Sequence, residues 1–593
     1  MHNPPMNTLL AHRAGWLLMA AWAAVSLPAV AATASSEPVA VAALEARVQR
    51  EPGNPDALID LGVALARLGR LPEARQRFDQ ALRTSPVHAL AHDNLLQLQL
   101  NMARHAYAAA LGSDSTALPP ADSGLQWSPS YGASASAASR PAPEASQALA
   151  VEVLLASAPP AMVATRPDRA AWLRPLLAAV VLLALGVTAW AWNRRPAPAV
   201  PAESPASTLS PPVTVAVPEH ERAVPEERLI QVYRLIGQGR WTQALESAES
   251  LVTDQPRFTL AQLVYGDLLL AHSGVLRGFG RGSTQVPSGQ ERQIAPLQLE
   301  ARQRLNAWRA PPPPGTVPRQ ALLLPASVRQ LVVVDGLRSR LFVLEHRAGQ
   351  LVVTASLYAA IGRLGVGKQD EGDLRTPLGV YDITGRLGHQ QVGDFYGAGA
   401  LPLSYPNEHD RRLRRTGANI WLHGTRADRH ADAPFSSNGC IVLSNPDMER
   451  LLQDLVPRRT PVVIAERLEW VTPKSLAEPR NAAVALTESW RQARMQADPE
   501  RLLGLYARSF DNGLQGWAEW QRLLAKEASG NAGRERQLLD LTILEGAEGA
   551  DGHPALFITF REVLRGSASG TLRRQYWSRE RGQWKIFSEG VLE

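Results

Sequence analysis

A cysteine and a histidine lie in two short segments whose residue types could together carry out nucleophilic chemistry. Cys440 is the only cysteine among the 593 residues and follows the polar run Ser436-Ser437-Asn438-Gly439. His423 ends an apolar run, Ile420-Trp421-Leu422, a short distance upstream. A thiol becomes a nucleophile when a base removes its proton, and an imidazole can later return that proton to a leaving amine. The two segments therefore indicate a Cys/His pair, and the polar run disfavours the alternative of a buried, inert thiol.

The composition limits what else the chain can be. Its length exceeds what one hydrophobic core supports, so several domains are expected. A formal net charge of +6, with arginines scattered among acidic residues, argues against a nucleic-acid-binding surface. A single cysteine excludes an intramolecular disulfide and any metal site built from several cysteines. Asp428, His430 and Asp432 share one loop without a second ligand cluster, so we predict no metal and no cofactor.

Two regions show the spacing of tetratricopeptide repeats, in which small residues let antiparallel helices approach and large ones fill the space between them. Eight positions fit in the first region: Leu58, Leu61, Gly62, Leu65, Ala74, Phe78, Ala81 and Pro86. The second region fits less completely, at Leu235, Ala244, Ala248, Leu251, Pro256, Gly266 and Leu269. We predict repeats over residues 38–110 and 223–275 that bind protein partners, with plain helical hairpins as the alternative.

Apolar and proline-rich segments separate these regions. The run from Pro175 to Trp192 is uncharged and is followed by Arg194-Arg195, which predicts a transmembrane helix over 172–193. Residues 1–32 contain either a signal sequence that ends at Ala29-Val30-Ala31 or a first, uncleaved membrane helix. Two stretches rich in Ala, Ser and Pro, residues 113–168 and 196–222, are predicted to be disordered linkers.

A strand-rich region follows at residues 328–466. Three short runs of β-branched and apolar residues, Gln330–Asp335, Arg340–Glu345 and Gln350–Leu357, predict an antiparallel meander. The run Thr460–Ile464 predicts the strand that closes the domain, and Asp447 and Glu449 fall in the predicted first turn of a helix from about 445 to 455.

Five motifs of this region, taken in order, resemble the YkuD-type L,D-transpeptidase domain. They are Gly365-Val366-Gly367-Lys368, Gly372-Asp373-Leu374-Arg375-Thr376-Pro377-Leu378-Gly379, Tyr405-Pro406-Asn407, Ile420-Trp421-Leu422-His423-Gly424-Thr425 and Ser436-Ser437-Asn438-Gly439-Cys440-Ile441. The resemblance implies a β-sandwich-like fold that acts on the stem peptides of bacterial peptidoglycan. One position departs from the family, which often has Arg two residues after the cysteine, where this chain has Val442.

The resemblance also implies roles for particular residues. Cys440 is the expected nucleophile, His423 the base, and the carbonyl of Gly424 the group that orients the imidazole. A further set is expected to bind substrate or the developing oxyanion: Ser437, Asn438, Gly439 and Tyr405. Lys368 and Asp373 are expected to serve the fold, and His409 and His430 to be surface residues.

The last region, residues 481–593, reads as helices followed by strands. Aromatic and apolar residues from Trp490 to Leu524 predict three helices, and four strands are predicted within Leu538–Leu544, Ala555–Val563, Leu572–Trp577 and Trp584–Phe587. This order resembles the cone-shaped, nuclear-transport-factor-like or SnoaL-like α+β fold. Its pairing with a YkuD-type domain also resembles cell-shape L,D-carboxypeptidases.

The expected fold class is therefore multidomain: helical repeats, one transmembrane helix, a mainly-β catalytic domain and an α+β C-terminal domain. With an uncleaved first segment, the first repeats would lie in the cytoplasm and the catalytic half in the periplasm, on one or two spans of the inner membrane. A signal sequence would reverse this topology, and a wrongly assigned start codon would remove the conflict. The leading hypothesis is an L,D-transpeptidase, and the alternatives are an L,D-carboxypeptidase and a wall-associated scaffold with an inactive catalytic domain.

Overall fold

The computed structural model describes residues 37–112, 129, 224–276, 278–279, 291–496, 498–530, 534–548, 552–567 and 569–592. The predicted first segment (1–32), the predicted transmembrane helix (172–193) and the second linker (196–222) lie outside these residues, as does the first linker (113–168) except for Pro129. The described residues from both sides of this stretch belong to one compact unit.

Eight helices lead up to the catalytic region in the described part of the chain. They are α1 Glu37–Arg50, α2 Pro55–Arg67, α3 Leu71–Thr84, α4 Ala89–Leu111, α5 Pro225–Gly237, α6 Trp241–Asp254, α7 Thr259–His272 and α8 Glu291–Arg309. Within the first pair of repeat helices, Gly62 allows close approach, because a Cβ there would lie 2.5 Å from the Phe78 ring. The predicted small-against-large packing is therefore present at this position.

The helices before and after the undescribed stretch share one hydrophobic core. Tyr107 on α4 lies against Gly266 on α7, and its hydroxyl donates a 2.6 Å hydrogen bond to Asp267. Arg75 on α3 forms a buried 2.7 Å ion pair with Glu249 on α6. The two predicted repeat regions therefore form a single helical array rather than two separate modules.

The prediction of one transmembrane helix is wrong. Of the helices that the structure describes, none is both long and apolar enough to cross a membrane. The longest, α4, buries Asn94 and Gln99 within the array instead of presenting an apolar surface to lipid. Moreover, a single crossing between residues 112 and 224 would place two halves of one core on opposite sides of a bilayer. The predicted location of the catalytic half in the periplasm is not tested by these residues and stays a prediction.

The strand-rich region contains a five-stranded sheet, a four-stranded sheet and a two-stranded sheet in the described part of the chain. Strands β1 to β7 are Val317–Pro318, Ala321–Leu323, Gln330–Asp335, Arg340–Arg347, Gln350–Tyr358, Ile361–Gly362 and Gly379–Asp382, and β13 is Pro461–Ala465. The five-stranded sheet has the order β5-β4-β3-β13-β7, so the predicted meander is confirmed. The closing strand β13 runs parallel to β3 and antiparallel to β7.

The four-stranded sheet contains His423. Its elements and their connections are β8 Leu387–Gly388, α9 His389–Val392, a 3-10 turn Asp394–Tyr396, β9 Gly399–Pro402, α10 Glu408–Arg412, β10 Trp421–Gly424, β11 Phe435–Ser437, β12 Ile441–Leu443 and α11 Asn445–Asp454. The strand order is β12-β10-β9-β8, with β10 and β12 parallel. This pairing aligns Leu422 with Ile441 and His423 with Val442, so the histidine strand lies directly beside the strand that follows Cys440.

The C-terminal region is α+β, with helices before strands as predicted. After the short strand β14 Trp470–Val471, its elements are α12 Ala477–Met495, α13 Pro499–Gly504, α14 Trp517–Gly530, β15 Arg536–Glu548, β16 Pro554–Leu564, β17 Thr571–Glu580 and β18 Gln583–Val591. Trp490 and Trp577 are buried in its core. The sheet has the order β18-β17-β16-β15-β2, so an edge strand from before the catalytic region completes it, which the sequence did not indicate.

Candidate active site

The Cys440 thiol lies between two backbone groups of the segment that leads into β10. Its Sγ donates a hydrogen bond of 3.4 Å to the carbonyl of Asn419, and the Trp421 amide donates to the sulfur. Burial raises the pKa of Cys440 above its usual value, while the Trp421 amide and the charge of Lys368 act in the opposite direction. At rest the group is therefore a neutral thiol.

The His423 imidazole is held in one orientation by its own strand. Its Nδ1 lies 2.7 Å from the Gly424 carbonyl, the contact expected from the family resemblance, which leaves Nε2 as the nitrogen able to accept a proton. The ring is buried, and this burial lowers the pKa of His423, with Gly424 and the charge of Asp432 acting against it. A Cβ on Gly424 would lie 2.3 Å from the Asn445 side chain, so only glycine fits here.

The segment before Cys440 is fixed by side-chain hydrogen bonds. The Ser437 hydroxyl accepts from the Gly439 amide at 3.0 Å and donates to the Cys440 carbonyl at 2.6 Å. The Thr376 hydroxyl donates to the Gly439 carbonyl at 2.9 Å. Gly439 has φ +126°, and a Cβ there would lie 2.7 Å from the Arg375 carbonyl, so this position requires glycine.

These bonds change the expected roles of the oxyanion candidates. The Gly439 amide is already engaged by Ser437, so it does not point freely at substrate in this state. The Ser437 hydroxyl shapes the turn, whereas Asn438, two residues before Cys440, is exposed. Among the described residues, the backbone hydrogen bonds of turns and loops include none from the amides of Asn438 and Cys440. We therefore favour these two amides as donors to a developing oxyanion.

Two positions singled out from the sequence belong to the core rather than to an open pocket. Tyr405 is 5% exposed, its ring packs edge-on against Tyr381, and its hydroxyl donates to the Thr416 carbonyl at 2.8 Å. The contact of Tyr405 with substrate stays a prediction. Val442 is also buried, and its backbone pairs with Ala360. Its aliphatic side chain has no donor for a carboxylate.

Three further residues, Lys368, His409 and His430, have packed or hydrogen-bonded side chains. Lys368 is buried and bonds to Asp373 at 2.9 Å, which agrees with a role in the fold. His409 is buried against Phe557 and Phe587, and His430 packs against Phe258 in a tilted arrangement with centroids 4.2 Å apart. Both histidines were expected at the surface, but both pack against aromatic rings from other regions of the chain. The prediction failed because charged neighbours in sequence do not reveal distant aromatic partners.

The loop between His423 and Cys440 is attached to the helical array. The amide of His430 donates to the Arg257 carbonyl at 3.2 Å, and the Arg257 guanidinium donates to the carbonyl of Ala427. On the other side of the loop, the Tyr358 hydroxyl donates to the Asp432 carbonyl at 2.8 Å. The helical array thus helps to hold the segment that joins His423 to Cys440.

One aromatic residue of the site was missed by the sequence reading. Tyr396 packs edge-on against the His423 imidazole, with centroids 4.9 Å apart, and lies 5.0 Å from the ring of Trp421. Burial and the nearby Cys440 raise the pKa of Tyr396, so its hydroxyl stays protonated at neutral pH. No local motif marks it, because the loop containing residues 389–396 reaches the site only through the fold.

The resting protonation state predicts how the thiol reacts. Because the pKa of Cys440 is raised, its alkylation by iodoacetamide should be slow at neutral pH and should still accelerate above pH 9, whereas urea-unfolded protein should follow an ordinary thiol. Cys440 is the sole cysteine, so intact mass reports this one site. A rate that reaches its plateau below pH 7 would instead reveal a preformed thiolate–imidazolium pair.

Two regions of the chain, the strand-rich region and the first repeat region, match known protein families. Residues 329–464 match the model of the YkuD L,D-transpeptidase catalytic domain, and residues 39–98 match a tetratricopeptide repeat. No curated protein matches the chain significantly.

Two solved structures are similar to part of the chain. Bd1075 of Bdellovibrio bacteriovorus is 24% identical, with a TM-score of 0.40, over 46% of this chain and 98% of that one. The helical cell shape determining protein Pgp2 from Campylobacter jejuni is 21% identical, with a TM-score of 0.37, over 44% of this chain and 91% of that one.

The family match spans both His423 and Cys440, together with the strands that align them. Both family resemblances drawn from the motifs are thus confirmed. Residues 329–464 are a YkuD-type L,D-transpeptidase catalytic domain, preceded in the same chain by tetratricopeptide repeats.

Proposed function

We propose that this chain is a cysteine acyltransferase that acts on the tetrapeptide stems of peptidoglycan. The observation that carries the proposal is the fixed imidazole: His423 Nδ1 is bound to the Gly424 carbonyl, and its strand runs beside the one that follows Cys440. This arrangement leaves Nε2 free to exchange a proton with a thiol and a leaving amine. An inactive scaffold would have no need to keep the imidazole in this orientation.

In the first half-reaction, Sγ of Cys440 attacks the carbonyl between the L-centre of diaminopimelate and the terminal D-Ala. His423 Nε2 takes the thiol proton as the S–C bond forms, and backbone amides at the nucleophile stabilise the oxyanion. The C–N bond then breaks, and the imidazolium gives its proton to the departing amine of D-Ala. The product is a thioester on Cys440.

In the second half-reaction, an amine from another diaminopimelate attacks the thioester. His423 accepts a proton from this amine and returns one to the sulfur, which regenerates the thiol and gives a 3→3 cross-link. Water as acceptor would give a tripeptide stem, which is L,D-carboxypeptidase activity by the same residues. We also propose that the catalytic domain works in the periplasm, where this substrate lies, and that the repeats bind a protein partner there.

The products distinguish these reactions. The full chain, incubated with tetrapeptide muropeptides, is expected to release D-Ala and to form cross-linked dimers, resolved by liquid chromatography and mass spectrometry. Tripeptide without dimers would assign the hydrolase, and Cys440→Ala should give neither product. If the wild-type chain also gives neither and Cys440→Ala has no effect in cells, the enzymatic proposal fails.

A further inference from the structure

A row of aromatic side chains runs from the catalytic imidazole to the protein surface. Tyr396 contacts His423, with ring centroids 4.9 Å apart, and Phe395 contacts Tyr396 with centroids 5.0 Å apart. Trp421, half-buried, also packs against Tyr396. At the outer end of the row, the Phe395 side chain is 60% exposed. Isolated exposed apolar residues are ordinary on protein surfaces, but an exposed phenyl ring that is connected by ring contacts to an active site indicates a ligand-binding surface.

The loop that carries Phe395 is tightly anchored. Gly397, just after the aromatic pair, has φ +58°, and a Cβ there would lie 2.1 Å from the Thr425 carbonyl. The Gly397 carbonyl is 2.8 Å from Nδ1 of His389, and the next amide, that of Ala398, donates to Asn445 at 2.9 Å. The ring is thus presented by a fixed backbone, so little conformational entropy is lost when a ligand covers it.

The position of the ring fits one part of the proposed substrate. The two centroid steps place Phe395 within about 10 Å of the catalytic imidazole. In a tetrapeptide stem, three residues separate the sugar from the bond that Cys440 would attack, and three extended residues reach about 10 Å. The C–H faces of a sugar ring pack well on an aromatic face, which carries partial negative charge.

We propose that Phe395 forms a saccharide subsite, which packs against the amino sugar at the head of the stem while Cys440 engages its far end. The proposal rests on the proposed function for its substrate. It assigns to this chain a preference for stems still attached to glycan over free peptides, set by one exposed ring.

Binding measured by calorimetry tests this directly. In the full chain with Cys440→Ala, which prevents turnover, a disaccharide-tetrapeptide should bind more tightly than the free tetrapeptide. Adding Phe395→Ala should raise the Kd of the disaccharide ligand about 2- to 10-fold, the range expected for one lost aromatic contact, and should leave the Kd of the free peptide unchanged. Phe395→Tyr, which keeps the ring, should retain the preference.

A matched control separates this effect from a general loss of apolar surface. Val456→Ala removes a side chain that is 44% exposed on the same domain, and it should leave both Kd values unchanged. If Phe395→Ala raises the Kd of both ligands equally, the ring contacts peptide. If it raises the Kd of neither, the ring contacts neither ligand. Either result overturns the subsite. Failure of the wild-type chain to release D-Ala would overturn the proposed function instead, and the Kd comparison would still decide the subsite.

Discussion

Replacing His423 by alanine is expected to lower kcat/KM for D-Ala release by about 10²- to 10⁴-fold, the contribution typical of a positioned general base. We expect this loss because His423 is the proposed base for the Cys440 thiol, which is neutral at rest since burial raises the pKa of Cys440. The variant keeps its thiol, so intact mass after mixing with substrate should show slow formation of the thioester rather than its complete absence. Cys440→Ala should show no covalent adduct at any time.

The pH dependence of the wild-type enzyme gives an independent check on the same residue. A protonated imidazole cannot accept a proton, so activity is lost as the pH falls through the pKa of His423. Burial lowers that pKa, and the acid limb of kcat/KM should therefore lie below pH 6.5. The exposed His92 serves as a matched substitution, since His92→Ala should leave rate and pH profile unchanged. Activity of His423→Ala within tenfold of wild type would remove His423 from the mechanism.

Removing the Arg75 guanidinium is expected to destabilise helices that lie far along the chain. Arg75 bonds to Glu249 at 2.7 Å and to Asp79 at 3.0 Å, and its side chain is almost fully buried. Breaking a buried ion pair by removing one partner typically costs about 3 to 5 kcal/mol, because the other charge is left without compensation. In Arg75→Met, hydrogen exchange should therefore speed up in Trp241–Asp254 as well as in Leu71–Thr84.

The same region offers a control of matching chemistry. Arg70 pairs with Glu73 at the start of the same helix, but this pair is exposed to solvent. Arg70→Ala should leave exchange in Trp241–Asp254 unchanged. If Arg75→Met also leaves those amides unchanged, the two groups of helices do not share a core, and the argument against a single membrane crossing between them is lost.

The sequence could predict those parts of the site whose residues lie together in contiguous motifs. The polar run before Cys440 and the His423-Gly424 pair can be read locally, because the turn and the oriented imidazole use neighbouring backbone groups. Tyr396 could not be found in this way, since its loop meets His423 only in the folded sheet. The motif that contains Tyr405 could not reveal its burial, because a motif position does not say whether a side chain faces substrate or core.

The fold shows the same division between local and distant information. Strand runs such as Gln330–Asp335 and Arg340–Arg347 are marked by their own residues, and they pair as predicted. Hydropathy over residues 172–193 predicts a membrane helix from local composition alone. It cannot report that Tyr107 and Asp267, on either side of that stretch, are hydrogen-bonded in one core.

The shared helical core has a consequence for the order in which the protein is made. While the ribosome is still synthesising the chain between residues 112 and 224, the face of α4 that carries Tyr107 has no partner, because that partner is α7. Closing a contact across so long a stretch costs loop entropy that the second group of helices repays only after it has emerged. The nascent N-terminal repeats therefore carry an unfilled apolar surface until α7, which ends at His272, has left the exit tunnel.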